Sequence, residues 1–291
     1  MSRPARHPRR RAPRPLRAVA LALLLAACQS GGQCGPDAAT REVDDKLMRV
    51  ADDMRAQGDL AAALGFYRRA HEKRPSDPEP LARIGATLVQ LKDYGNGAQA
   101  YRQALELTPA DPELHRGLAG ALLSLGQPEP AIAELDLALA KRPGDRRLLN
   151  ALGVAHDIIG RHDLAQEDYL KGLRQAPRDP GLRNNYGLSL ALAGDFGGAI
   201  SALQDVANDP AAPARYRLNL ALVYGLAGDA EKAAAVARAS LPEDAVRNNL
   251  AYYAMLRGME DRARVAAIMG GQGGAGPALG LAPGPGEPSP P

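Results

Sequence analysis

The chain has 291 residues, with 36 basic and 33 acidic side chains, a formal charge of +3, 4% aromatic residues and no Trp. Seven of the Arg stand in the first 27 positions, so the rest of the chain carries 29 basic residues against 33 acidic ones. That balance, without any interleaving of basic and aromatic residues, excludes a nucleic-acid-binding surface as the basis of function.

Residues 1–27 form a separate object. They hold no acidic residue, and an apolar run of ten follows the Arg at positions 18–27. A bilayer core needs about 20 apolar residues, so this run is too short to span one. A basic segment followed by a short apolar run and small residues predicts an export signal that is removed after use. The run ends Leu25-Ala26-Ala27-Cys28. This resembles the bacterial lipobox, in which the Cys is acylated and becomes the new N-terminus. The alternative is a plain secretory signal ending Ala-x-Ala, with Cys28 incidental. Acyl chains on Cys28 would hold the protein to a membrane, each buried CH₂ contributing about 0.8 kcal/mol. By resemblance to lipoprotein sorting, Gln29 in the place where an Asp would retain the protein implies the outer membrane, with the chain facing the periplasm. Cys34, the other cysteine, has no partner within the chain once Cys28 is acylated. Residues 28–43, with Gly31, Gly32, Gly35 and Pro36, predict a flexible tether.

From residue 44 a period of 34 takes over. Pro75, Pro109, Pro143 and Pro177 are each 34 residues apart. The units are 44–77, 78–111, 112–145, 146–179, 180–213 and 214 onward, with a degenerate seventh ending at 268. The eighth position reads Ala51, Gly85, Ala119, Gly153, Gly187, Ala221, and the twentieth reads Ala63, Gly97, Ala131, Ala165, Ala199, Ala233. Small residues in both columns predict close approach of two helices within each unit. Bulk stands at position seven (Val50, Ile84, Leu118, Leu152, Tyr186, Leu220), expected to fill the space between neighbouring helices. Position twenty-four reads Tyr67, Tyr101, Leu135, Tyr169, Leu203, Ala237. A turn is expected at Gly58, Lys92, Gly126, Gly160, Gly194 and Gly228, where glycine accepts a left-handed conformation and ends the first helix. The prolines end the second helix.

These columns resemble the tetratricopeptide-repeat (TPR) family. The large aromatic that family pattern carries at position four is replaced by Leu47, Leu81, His115 and Leu149, and Pro210 and Pro213 stand around the expected proline at 211. The resemblance implies an all-α, right-handed superhelical solenoid of helix–turn–helix repeats, with a concave surface lined by the first helix of each unit. Such arrays hold other proteins, because no unit buries its own apolar face and stacking leaves a long groove.

Within that groove two sets of residues stand out. Asn150, Asn184, Asn185 and Asn219 recur at positions five and six, with Asn248 and Asn249 in the seventh unit. Asn is a poor helix former, so its recurrence calls for a reason. Its amide offers a donor and an acceptor to an extended peptide. Alternatively, these amides bond neighbouring units and stiffen the array. The earlier units carry Arg49, Arg83 and Arg116, which predict cationic contacts in the N-terminal half of the groove.

No chemistry is expected. His7 falls in the signal, and His71, His115, His156 and His162 share no metal-binding spacing. No nucleophile elbow or phosphate loop is present, so no catalytic residue, metal or cofactor is predicted. The Gly/Pro-rich segment 269–291 predicts disorder.

The C-terminal third is more specific. Residues 217–229, 233–240 and 246–253, including Arg217, Asn219, Tyr224, Gly228-Asp229, Asn248-Asn249 and Tyr252-Tyr253, resemble the TadD family of TPR lipoproteins of the Flp (Tad) pilus assembly system. With the lipobox and repeats the resemblance covers most of residues 16–257. It implies a non-catalytic, outer-membrane assembly factor whose partners are the secretin or other pilus-assembly proteins, with Cys28 as the acylation site. Another envelope TPR lipoprotein, a pilotin of a different pilus or a cell-wall enzyme adaptor, fits the same features. Homo-oligomerisation is left open by the sequence.

Overall fold

The computed structural model describes residues 38–270. The segment expected as an export signal, Cys28, Cys34, most of the expected tether and the tail beyond residue 270 lie outside the described residues. The first helix, α1 (Ala38–Ala56), starts inside the segment expected as tether. Residues 38–43 contain neither Gly nor Pro, so nothing there stops a helix.

Every repeat becomes a helix pair. They are α1 with α2 (Leu60–Lys73), α3 (Pro78–Gln90) with α4 (Tyr94–Leu107), and α5 (Pro112–Ser124) with α6 (Pro128–Lys141). Then come α7 (Arg146–Ile158) with α8 (His162–Gln175), α9 (Pro180–Leu192) with α10 (Phe196–Ala207), and α11 (Ala214–Leu226) with α12 (Ala230–Arg238). The degenerate unit supplies α13 (Glu243–Arg257) and α14 (Asp261–Gly270). The helices α3, α5, α7, α9 and α11 begin on the first residue of their 34-residue unit.

The boundaries follow from local chemistry. Asp77, Asp111, Asp145 and Asp179 cap the first helices, each side chain accepting from one or two backbone N–H groups of the first turn. Such a cap contributes about 1 kcal/mol. Three of these helices then open on Pro78, Pro112 or Pro180, whose missing N–H costs nothing there. The first helix of each unit ends in a left-handed residue: Gly58, Gly126, Gly160, Gly194 and Gly228 at φ between 71° and 89°, and Lys92 at φ 62°. The next residue's N–H then reaches back five residues, as in Asp93 N to Leu88 O and Gln127 N to Leu122 O, both 2.9 Å.

The small columns sit where the helices of a unit touch. Ala51, Ala119, Ala221, Ala63, Ala131, Ala165, Ala199 and Ala233 are fully buried. A Cβ on Gly97 would lie 3.2 Å from the carbonyl oxygen of Gly85, and one on Gly85 would strike the Tyr101 ring at 2.9 Å. Position twenty-four is buried in all six units. Position seven is buried at Ile84, Leu118, Leu152 and Leu220 and half-buried at Tyr186. Val50 departs from the column at 38% exposure, because no described helix precedes α1 to cover it.

Consecutive helices pack on one another from α2 to α13. The first helices also touch each other in the series α3–α5–α7–α9–α11–α13. They therefore line the inner side of the curve, as a TPR solenoid requires. The last helix breaks the order: α14 meets α13 and also α7, three units back.

Candidate protein-binding groove

The concave face is built from one stripe of each first helix. Residues four apart share a helix face, so positions five, nine and thirteen form a line. In the fourth unit this line is Asn150, Val154 and Ile158; in the fifth, Asn184, Leu188 and Leu192; in the sixth, Leu218, Leu222 and Leu226. Val154, Leu188, Leu192, Leu218, Leu222 and Leu226 are buried, and Ile158 is half-buried. In the second and third units the ninth and thirteenth positions are Ala86 and Gln90, then Gly120 and Ser124, so apolar bulk begins only at α7. These two columns, 154–188–222 and 158–192–226, recur at the 34-residue period. The sequence reading missed them because it followed polar groups.

The asparagines form one connected chain. Asn219 Nδ2 donates to Asn184 Oδ1 at 2.8 Å, Asn184 Nδ2 donates to Asn185 Oδ1 at 3.0 Å, and Asn185 Nδ2 donates to Asn150 Oδ1 at 3.0 Å. Asn184, Asn185 and Asn219 are at most 1% exposed, and Asn150 is half-buried. Their amides join α11 to α9 to α7. The ladder is thus a joint between repeats, and of its members Asn150 alone reaches the surface. In the last unit Asn249 is buried and Asn248 is exposed.

Two of the three arginines, Arg83 and Arg116, are already engaged. Arg83 lies 3.6 Å from Asp52 and 3.3 Å from Glu79, and Arg116 Nε donates to Glu113 at 2.9 Å, the same carboxylate that Arg142 reaches at 2.8 Å. Arg49 is exposed. Arg83 and Arg116 therefore stand in the N-terminal half of the groove as members of ion pairs. Pairs of this exposure add little stability and remain free to rearrange.

A second polar joint lies beside the groove. Asp157, 2% exposed on α7, accepts from Ser189 Oγ at 2.7 Å and Tyr169 OH at 3.0 Å, and faces His162 Nδ1 at 2.7 Å. Burial pushes the Asp157 carboxyl up, against the pull of these bonds. Ser189 donates to the carboxylate and not to an imidazole, and it is fully buried, so the cluster lacks the geometry of an activated nucleophile. His156 faces Asp168 at 2.9 Å, and His115 stands between Glu134 at 2.6 Å and the Pro109 carbonyl at 3.0 Å. These histidines bond helices of the array together. Among the described residues no group of three or more His, Cys, Asp or Glu is arranged to hold a metal ion.

Comparison with known proteins agrees with this geometry. Tetratricopeptide-repeat family models match residues 88–154 and residues 150–213. The described residues thus form an all-helical solenoid of tetratricopeptide-type repeats. Its fold is similar to the crystal structure of PilW, described as a widely conserved type IV pilus biogenesis factor. The TM-score is 0.63 at 20% identity, over 69% of this chain and 94% of that one. PilF of Pseudomonas aeruginosa matches with a TM-score of 0.59 at 18% identity, over 79% of this chain and 99% of that one. The APC/C hetero-tetramer Cut9-Hcn1 matches at 0.62 and 15% identity, over 75% of this chain and 46% of that one. At such identities the likeness is one of fold, and it extends to assemblies of different purpose. No curated protein matches at the sequence level.

Proposed function

We propose that the mature protein is a lipid-anchored scaffold, held at the outer membrane by Cys28 and facing the periplasm, that binds protein partners in assembly of a pilus of the Flp (Tad) type and supports its secretin. The observation that carries the scaffold reading is the continuous inner face of first helices, α3 to α11, which forms a groove. The pilus reading draws on the resemblance of residues 217–253 to the TadD family and on folds shared with PilW and PilF. The anchor reading draws on Leu25-Ala26-Ala27-Cys28.

Likeness to PilF and PilW also favours a second reading, a pilotin of another pilus system. Capture from membranes with the mature protein tagged beyond residue 270, followed by mass spectrometry, separates the two. Recovery of Flp-type pilus-assembly proteins with a secretin supports the first; recovery of another pilus machine supports the second; recovery of cell-wall enzymes alone contradicts both. Metabolic labelling with a fatty acid tests the anchor: label is expected on the natural chain and absent from Cys28→Ser, and an unlabelled natural chain contradicts lipidation.

A further inference from the structure

The degenerate last repeat does not close the array as a cap. Its second helix, α14, leaves α13 through Gly258, Met259 and Glu260 and comes to rest against α7. Val265 and Ile268, three residues apart on one face of α14, are 5% and 3% exposed. They belong to the same apolar cluster as Val154 of α7, Leu188 and Leu192 of α9, and Leu222 and Leu226 of α11. Asp261, Ala263 and Ala266 of the same helix face solvent. The apolar columns at positions nine and thirteen are present in α7, α9 and α11, whose side chains share a cluster with Val265 and Ile268, and absent from the second and third units.

We propose that the inner face of α7, α9 and α11 is a helix-binding groove, filled in the resting protein by the chain's own α14, and that its external ligand is an apolar amphipathic helix of a protein partner that displaces α14. The bound α14 defines that ligand: about three turns, with two β-branched apolar residues at i and i+3 on the buried face, and the half-buried Arg264 beside them paired with Asp261 of its own helix. The short connection to α13 gives α14 a high effective concentration at the groove, so it competes without needing strong intrinsic affinity. Among the described residues, Tyr252 OH donates to the Ala267 carbonyl at 3.4 Å, joining α13 to α14, and Arg264 Nη1 donates to the Met259 carbonyl of the connection at 3.5 Å. The inference rests on the scaffold reading in taking the inner face as the place where partners dock.

The test uses the purified mature chain and a fluorescent peptide of residues 258–270 as probe. Val265→Asp with Ile268→Asp should expel α14, and the variant should bind the probe about tenfold or more tightly than the natural chain, since the groove is no longer taken. Equal or absent binding by both proteins overturns the proposal. If the double variant does not fold, hydrogen exchange on the natural chain decides. Exchange of α14 amides about a hundredfold faster than those of α9 and α11 supports an independently opening helix. Exchange of α14 only with the whole array overturns it. A natural chain that is a dimer by light scattering, exchanging α14 between copies, would assign the groove to a second copy and also overturn it. Failure to capture pilus proteins from membranes would remove the function proposed above and leave these outcomes unchanged.

Discussion

The ring of Tyr169 occupies the space a Cβ on Gly153 would need: that atom would lie 2.6 Å from Cε1 and 2.7 Å from Cζ. Position eight and position twenty-four of one repeat are thus a fitted pair, seen again at Gly85 with Tyr101 and Gly187 with Leu203. Gly153→Ala is expected to cost about 1–3 kcal/mol through overpacking. Gly65→Ala, exposed on α2 with nothing within 4 Å of the new methyl, should gain about 0.5–1 kcal/mol. Urea melts of both variants check the pair; equal effects would contradict the fit.

The asparagine joint predicts coupling across repeats. Asn185→Ala leaves the buried amide of Asn184 and that of Asn150 short of a partner, at about 1–3 kcal/mol. A double-mutant cycle with Asn150→Ala should show an interaction of about 0.5 kcal/mol or more. Strict additivity would mean the joint does not bind α9 to α7.

Lys92 holds a left-handed conformation that five glycines hold elsewhere. Lys92→Gly relieves that strain while adding freedom to the unfolded chain, and the balance is expected to stabilise by about 0.5–1 kcal/mol. A lower melting temperature for this variant would contradict the account of the turn.

Asp157 predicts a pH dependence. Burial raises its folded pKa above the ordinary carboxylate range, so its contribution to stability is full below the unfolded value and is lost as pH rises through the folded one. The groups facing it are His162 and Tyr169 of α8 and Ser189 of α9. With His162→Gln as background, so that the imidazole does not titrate, Asp157→Asn should gain in melting temperature relative to its parent as pH is raised from about 4 to about 7. A constant difference would show that Asp157 does not titrate in that window.

Much of this was legible in the sequence because the determinants are local. Asp-Pro at 111–112, Gly126 and Pro143 each act within a few residues, and the 34-residue period then places α5 and α6. The small columns at positions eight and twenty needed only their repetition to be read as a helix contact. What depends on packing between repeats was not legible. The asparagines could serve a ligand or each other, and the rotation between α7, α9 and α11 decides for each other. The charge of Arg83 and Arg116 was visible, and Glu79 and Glu113 stand one helical turn from them, but Asp52 joins Arg83 and Arg142 joins Glu113 only in the folded array. The path of α14 depends on which apolar face it finds, and its own sequence does not state that.

The central claim is that the inner face of the first helices holds the protein partner. A photoreactive residue placed at Arg116 or Asn150 on that face, or at the exposed Leu137 and Leu170 of the second helices, tests it in living cells. Adducts to one partner from Arg116 and Asn150, and none from Leu137 or Leu170, are the expected result. Adducts from Leu137 and Leu170 alone would place the partner on the second helices and contradict the account.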